Sequence, residues 1–128
     1  MAAGATMHTF EVQLADMDRG VYEQFTVRAA RHPSETEAYL VTRVLAYCLE
    51  YAEGIAFSEG ISATDEPALL VRDLSGKLLA WIEIGAPDAA RLHTGSKAAE
   101  RTVVYTHRDP DKVAAPWAGA RIHRADEI

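Results

Sequence analysis

The chain has 128 residues, of which 48% are hydrophobic and 25% charged, a balance typical of one globular domain rather than a disordered segment. Its net charge is −6 at pH 7, which excludes a protein that binds nucleic acid mainly through a broad basic surface. A single cysteine, Cys48, excludes an intrachain disulfide and a thiolate metal cluster, and its place in a helical pattern indicates a small buried hydrophobe.

Two alternating segments near the start of the chain predict a β-hairpin. In "HTFEVQL" (residues 8–14) apolar residues recur at every second position, which is typical of a strand with one buried face. The polar turn "ADMDRG" follows, in which Gly20 can adopt a positive φ, and "VYEQFTVRAA" (21–30) supplies a second strand. We therefore expect these two strands to pair across the turn.

The segment "HPSETEAYLVTRVLAYCLEYAEG" (32–54) predicts a long helix. Ser34 and Glu37 have the spacing of a capping box, in which a hydroxyl and a carboxylate each accept a backbone N–H of the first turn. Gly54 is expected to end the helix. The apolar residues recur at intervals of three and four and form one stripe, which consists of Val41, Val44, Leu45 and Cys48.

The second half of the chain predicts further strands and two helices. After a short extended piece, "ALLVRD" (68–73) and "KLLAWIEI" (77–84) flank the turn signal Ser75-Gly76, and we expect both strands to be covered on both faces. A helix from Asp88, a strand "RTVVYTH", a short helix capped by Asp109 and a last strand "ARIHRA" (120–125) follow. This order predicts an α/β fold with a mixed central β-sheet flanked by helices and preceded by an N-terminal β-hairpin.

Three acidic residues mark a candidate metal site. Asp65 and Glu66 lie just before the first of these two strands, and Glu83 lies near the end of the second. Because neighbouring strands bring side chains to within about 5 Å of one another, the three carboxylates can meet and hold Mg²⁺ or Mn²⁺. The alternative is that Asp65 and Glu66 are solvated loop charges.

Glu83 is the most informative of these residues because it follows Trp81 and Ile82 in an apolar strand. An unpaired charge would be costly there, so Glu83 needs a partner, either a metal or a cation such as Lys97 or Arg91. A structural ion pair and a functional site explain it equally well. The five histidines lack the spacing of a zinc site.

The sequence also predicts where the protein works. The first residues, "MAAGATMHTF", have neither the basic start nor the apolar run of a signal peptide. No segment approaches the roughly 20 apolar residues that span a bilayer. We therefore expect a cytoplasmic protein with no membrane partner.

Five segments of the chain resemble the YaeQ family of small bacterial proteins. They are "ADMDR", "ARHPSETEAYLVTRVLAYCLEY", "DEPALL", "WIEIGAPDAARL" and "VVYTH", and they occur in the order of the family. The resemblance implies one YaeQ-like domain over residues 1–128, without the further C-terminal strands and helix of the family, so that the chain is either naturally short or truncated. It also implies a variant of the PD-(D/E)XK, or restriction-endonuclease-like, α/β core in a family of uncharacterised function.

The resemblance implies a specific site on the predicted hairpin of residues 68–84. A working PD-(D/E)XK site has Pro-Asp at the start of one strand and Glu-x-Lys on the next. Here Pro67-Ala68 stands at the first place and Glu83-Ile84-Gly85 at the second, so only the glutamate of the three signature residues remains. The candidate substitutes are one cation, Lys97, and four acids, Asp65, Glu66, Glu35 and Glu37.

Two functions follow from this resemblance. The first is a non-catalytic binding protein with a degenerate site, whose partner is a protein or a nucleic acid. The alternative is a metal-dependent nuclease or phosphodiesterase that acts on nucleic acid through a rearranged site, in which Glu83 and Lys97 are catalytic. The metal ligands are then Asp65, Glu66 and Glu83, with Mg²⁺ or Mn²⁺ as the cofactor.

Overall fold

The computed structural model describes residues 6–58 and 66–128 and confirms a mixed α/β fold in this part of the chain. The strands are β1 (Thr6–Asp16), β2 (Val21–Arg31), β3 (Ile55–Phe57), β4 (Leu69–Arg72), β5 (Leu78–Ile84) and β6 (Arg101–Tyr105). The α-helices are α1 (Glu37–Leu49), α2 (Ala89–Ala98) and α3 (Pro110–Ala114), and short 3-10 helices cover Ala115–Trp117 and Ala125–Glu127.

The strands form two separate sheets. The predicted hairpin is confirmed: β1 and β2 pair antiparallel without a break from Thr6↔Arg31 to Asp16↔Val21. The other sheet has the order β3-β4-β5-β6, in which β3, β4 and β5 are antiparallel neighbours and β6 is parallel to β5. The parallel pair is connected through α2, as a strand–helix–strand unit requires.

The hairpin packs against α1 through its apolar face. Buried Ala29 of β2 contacts Leu40 and Val44 of α1 in one cluster. The Phe25 ring stacks on Tyr51 with the ring centroids 4.4 Å apart. In the turn, Arg19 donates a hydrogen bond to the carbonyl of Tyr51 at 2.8 Å. The polar turn therefore attaches the hairpin to the end of α1.

β5 lies in the centre of the larger sheet. Residues Ala80–Ile84 are all buried because β4 and β6 pair with its two edges and side chains cover both faces. The main core cluster contains alternate residues of β4 and β5 together with Ala46 of α1. The expectation that the two apolar runs are covered on both faces is confirmed for β5.

The start and end of α1 differ from the prediction. Thr36, rather than Ser34, is the N-cap, and its side chain accepts the N–H of Tyr39 at 3.0 Å. Ser34 lies instead in the turn before the helix, where its Oγ is 2.8 Å from Nδ1 of His32. The helix ends at Leu49, five residues before Gly54, which serves the turn into β3 with φ +90°.

The predicted apolar stripe of α1 is wrong for two of its four residues. Val41 and Leu45 are 47% and 55% exposed, whereas Val44 is buried. The buried side of the helix is centred on Leu40, Val44 and the charged Arg43. The stripe around Val41 and Leu45 and the neighbouring one around Leu40 and Arg43 have the same spacing. The second can face inward because Arg43 forms an ion pair with Glu35.

The last predicted strand, "ARIHRA" (120–125), is also wrong, since this segment consists of turns that lead into a 3-10 helix. Arg124 has φ +50° and donates hydrogen bonds to the carbonyls of Ser96 and Ala99 at 2.6 and 2.8 Å. The segment therefore crosses the end of α2 instead of joining the sheet. The predicted start of α3 is confirmed, with Asp109 as its cap.

Candidate functional site

A cleft of about 560 Å³ lies where three elements meet. These are the segment that leads into α1, the C-terminal end of β5 and the segment after β6. Its lining includes Glu35, Tyr39, Ala68, Glu83, Arg91 and Arg108. The cleft thus collects two of the sequence-predicted acids and several residues that the sequence patterns did not single out.

Glu83 lies at the end of β5, and its side chain is only 5% exposed. Its Oε2 accepts hydrogen bonds from the Trp81 indole Nε1 at 2.8 Å and from Arg91 Nε at 3.1 Å. Its Oε1 accepts from Arg91 Nη2 at 3.4 Å. The sequence-based expectation that Glu83 has a partner is confirmed, and Arg91 is the cation of the two proposed that pairs with it.

The Trp81 indole that contacts Glu83 packs against a glycine of α2, Gly95. A Cβ atom added at Gly95 of α2 would lie 2.6 Å from three ring atoms of Trp81. Gly95 costs α2 about 1 kcal/mol of helix propensity relative to alanine. Because Gly95 has no side chain, the Trp81 ring can pack closely against the helix while its N–H donates to the Glu83 carboxylate.

Arg91 connects the cleft to the segment before β4. It lies in the first turn of α2, where its backbone N–H donates a hydrogen bond at 2.9 Å to the carboxylate of Asp88, the N-cap of the helix. Its Nη2 also donates to the carbonyl of Glu66 at 2.6 Å. Because this guanidinium is 25% exposed while the Glu83 side chain is 5% exposed, the cation is the member of the pair that faces the cleft.

Burial is the main influence on the charge of Glu83. Loss of solvation raises the pKa of its carboxyl above the ordinary value of 4.5, and the nearby Asp88 charge acts in the same direction. The hydrogen bond from Trp81 and the charge of Arg91 lower the same pKa but do not outweigh burial. The carboxylate is therefore paired, and burial makes it harder to ionise than an exposed glutamate.

A second ion pair borders the cleft on the α1 side. Arg43 Nη2 and Glu35 Oε2 are 2.9 Å apart, with side-chain exposures of only 6% and 1%. Arg43 also donates to the carbonyl of Ala30 at 2.7 Å, and its guanidinium lies 5.2 Å from the Phe57 ring centroid. The candidate acid Glu35 is thus engaged in a sealed contact between α1 and the hairpin.

Tyr39 lies between the two ion pairs and was not predicted from the sequence. Burial raises the pKa of its hydroxyl, and the charges of both pairs act on it. Its ring edge would lie 3.5 Å from a Cβ added at Gly85, which has φ +91°. The place at which the resemblance implies a lysine is therefore a glycine in contact with an aromatic ring.

Of the other predicted site residues, the structure places some near Glu83 and others not. Leu69 pairs with Ile82, so the same antiparallel register brings Ala68 opposite Glu83. Glu66 is half-buried and reaches the site through its carbonyl. Lys97 is exposed in the last turn of α2 and is not part of the cleft lining. Asp65 lies outside the described residues.

The described residues do not fit a divalent metal. Mg²⁺ and Mn²⁺ prefer several carboxylate and water oxygens, whereas both oxygens of Glu83 accept hydrogen bonds from Arg91 or Trp81. Within 6–58 and 66–128, no group of three or more His, Cys, Asp or Glu side chains could hold a metal ion. The predicted ligand set that includes Asp65 stays a prediction.

The helices give no sign of a membrane span. In the part of the chain that the structure describes, none of them is long and apolar enough to cross a bilayer.

Comparisons with known proteins agree on one family. The family model described as "YaeQ protein" matches residues 1–128. The "Uncharacterized protein YaeQ" of Escherichia coli (strain K12) is 36% identical over 118 residues, which cover 91% of this chain and 64% of that protein. The protein of the same description from Salmonella typhi is 34% identical over 117 residues. The chain thus spans 64% of the length of the curated relatives it matches.

Two crystal structures have the same fold. The YaeQ protein from Pseudomonas syringae matches with a TM-score of 0.82 at 43% identity, over 89% of this chain and 64% of that one. The YaeQ protein from Xanthomonas axonopodis pv. citri matches with a TM-score of 0.80 at 36% identity, over 91% of this chain and 67% of that one.

Proposed function

The chain belongs to the YaeQ family, and we propose that it is a non-catalytic binding protein built on a degenerate PD-(D/E)XK core. Its relatives are described as uncharacterized, so the proposal rests on the cleft of this chain. The protein would use the cleft between α1, β5 and the segment after β6 to hold a partner, without cleaving it.

The hairpin of β4 and β5 supports the superfamily assignment. Extending the Leu69↔Ile82 pairing by one residue places Ala68, just before β4, opposite Glu83, and this arrangement brings two carboxylates to one metal when the first residue is aspartate. Alanine has no ligand atom to offer at this place. The strand geometry of a nuclease site is thus compatible with this chain, while one of its two acids is absent.

The observation that carries the proposal is the pairing of Glu83 with Arg91 and Trp81. A divalent ion at Glu83 would have to displace a guanidinium that already neutralises the carboxylate, and it would meet the positive charge of Arg91 a few Å away. The electrostatics of the described site therefore favour a resting ion pair over a bound metal.

We infer that a protein is the partner rather than a nucleic acid. The net charge of −6 repels a polyanion at long range, and the cleft that Arg108 lines also contains the acids of both ion pairs, Glu35 and Glu83. Tyr39 and Pro87 offer apolar surface in the same cleft. A mixed surface of this kind suits a peptide segment with an acidic side chain for Arg108 and an apolar one for Tyr39.

A metal-dependent nuclease is the second candidate. It is favoured by the opposition of positions 68 and 83 and by Glu66, whose carbonyl already contacts Arg91. In this case Asp65 and Glu66 would join Glu83 as ligands of Mg²⁺ or Mn²⁺, and Lys97 would have to approach the site from its exposed position.

An assay with nucleic acids separates the two candidates. The protein, its Glu83→Ala variant and a control with the exposed β2 residue Glu23 changed to alanine are incubated with single- and double-stranded DNA and RNA plus Mg²⁺ or Mn²⁺. We expect equal, background-level products from all three. Metal-dependent products that Glu83→Ala loses and Glu23→Ala keeps would contradict the proposal.

The binding half of the proposal needs its own readout. In an NMR screen of short peptides with varied charge and apolar content, acidic–apolar peptides should shift the amide signals of Tyr39 and Arg108. An Arg108→Glu variant should lose this response. A screen in which no peptide perturbs the cleft, or in which single-stranded RNA does, would refute the protein partner.

A further inference from the structure

We propose that the outer edge of β1 is an interface for a second copy of this chain, with the two β1 strands pairing antiparallel to join two hairpins into one four-stranded sheet. β1 is 11 residues long and, among the described residues, pairs only with β2. Its other edge therefore carries backbone N–H and C=O groups that no neighbouring strand satisfies. Such an edge is a template for one more strand.

The β1 edge has few of the features that keep a strand edge from pairing, since Glu11 and Asp16 are its only acidic or basic residues apart from His8. The segment "TMHTFEVQLAD" contains neither lysine nor proline, and its register with β2 runs without a bulge. The edges of the other sheet are short by comparison, since β3 has three residues and β6 has five. Among the described strands, β1 and β2 have the long unpaired edges, and β2 contains two arginines, Arg28 and Arg31, where β1 contains no lysine or arginine.

The inner face of β1 is apolar and only half-buried. Phe10 packs against the Leu40 and Val44 cluster of α1. Val12 and Leu14 follow on the same face at the period of a strand, and both remain half-buried. A strand added beside β1 would extend this face and cover these side chains further.

The sequence of β1 is complementary to itself in one antiparallel register. When the two-fold axis passes through Val12, Phe10 faces Leu14 of the other copy and His8 faces Asp16. On the solvent face, Glu11 then lies opposite Gln13, so that no two like charges meet. Shifting the axis to Glu11 would place two glutamates face to face, which disfavours the neighbouring register.

In this register His8 lies opposite an acidic residue, Asp16 of the second copy. In the described structure its Nε2 is buried without a hydrogen-bond partner, and the ring stacks on Phe10 with centroids 6.5 Å apart. The same pairing brings the Asp16 carboxylate of the second copy to the side of this ring. Asp16 already accepts two hydrogen bonds from Arg19 of its own chain, so it brings a negative charge to His8 rather than a new hydrogen bond.

Gln13 allows the interface to be weakened or strengthened without touching the core. It is exposed on the solvent face, and in the proposed dimer it meets Glu11 twice because of the two-fold symmetry. Gln13→Glu should raise the dimer dissociation constant roughly three- to tenfold, and Gln13→Lys should lower it by a similar factor. Gln24→Glu is the matched control, since Gln24 is the exposed cross-strand partner of Gln13 on β2.

Sedimentation velocity of the full 128-residue chain, from low micromolar to several hundred micromolar, measures these constants. We expect a reversible monomer–dimer equilibrium that shifts in opposite directions for the two Gln13 variants and not for Gln24→Glu. Circular dichroism confirms that each variant is folded. A chain that stays monomeric at all concentrations would overturn the proposal. A dimer whose dissociation constant is the same for both Gln13 variants and the wild type would also overturn it.

Discussion

Two ion pairs with buried carboxylates border the cleft, and they differ in the exposure of their arginines. Glu35 and Arg43 are sealed between α1 and the hairpin, with exposures of 1% and 6%. Glu83 and Arg91 join β5 to α2, and there the carboxylate side chain is 5% exposed while that of the arginine is 25% exposed. A sealed pair can only hold elements together, whereas a pair with an accessible cation can also respond to a ligand.

The two arginines also differ in what else they contact. Arg43 lies over the Phe57 ring and donates to a hairpin carbonyl, so three elements depend on it. Arg91 contacts the carbonyl of Glu66, beside the segment that contains the candidate acid Asp65. We infer that the first pair serves the fold and that the second sets the charge of the cleft.

The largest expected effect is therefore the loss of Arg43. Arg43→Met replaces the guanidinium by an uncharged, unbranched side chain and leaves Glu35 buried without a cation. It should lower the free energy of unfolding by about 3–5 kcal/mol. Arg91→Met should lower the free energy of unfolding by about 1–3 kcal/mol, because solvent in the cleft can reach the Glu83 carboxylate once the guanidinium is removed. Urea denaturation followed by circular dichroism measures both values.

These two variants rank the ion pairs directly. Equal losses for Arg43→Met and Arg91→Met would mean that both pairs are structural and that the cleft has no special role. A greater loss for Arg91→Met would reverse the distinction.

Much of the fold could be predicted from local patterns in the sequence. The hairpin, the two apolar strands around Ser75-Gly76 and the start of α3 follow from alternation and turn residues. The last strand could not be excluded in this way, because the contact of Arg124 with the end of α2 is a tertiary one. Tertiary contacts of one side chain thus overrode a local preference.

The candidate site was predicted in part. A charge in an apolar strand correctly indicated that Glu83 has a partner. The choice between Lys97 and Arg91 could not be made, since it depends on how α2 is rotated against β5. The contact between Gly95 and Trp81 fixes that rotation, and no sequence pattern reports it.

The sealed pair was missed for a related reason. The sequence indicates Glu35 only as an additional acid, and Arg43 interrupts the apolar pattern that predicts the buried face of α1. Spacing alone cannot reveal that a charged residue faces inward. Such a residue becomes acceptable only when its partner, here from the loop before the helix, is already in place.

A smaller effect is expected from Glu83→Gln. Because burial raises the pKa of Glu83 in the folded protein, the folded state binds this proton more tightly than the unfolded state. Ionising the group as the pH rises above 4.5 therefore costs stability in the wild type. Glu83→Gln removes this group and keeps an acceptor for the Trp81 indole.

Unfolding free energies of the two proteins, compared from acidic to neutral pH, test this expectation. The wild type should lose stability relative to Glu83→Gln as the pH rises, and the loss should be smaller than that caused by Arg43→Met. The opposite trend would mean that Arg91 outweighs burial and holds the carboxylate charged.

Whether Glu83 rests in an ion pair or on a metal is best tested at the Trp81 indole, whose N–H lies 2.8 Å from the carboxylate. A paramagnetic Mn²⁺ ion bound to Glu83 would broaden the NMR signal of this N–H. Trp117→Phe identifies the signal, because the chain has two tryptophans. We expect no saturable broadening as Mn²⁺ is added. Broadening that saturates in the wild type and disappears in Glu83→Gln would show a metal site where we place an ion pair.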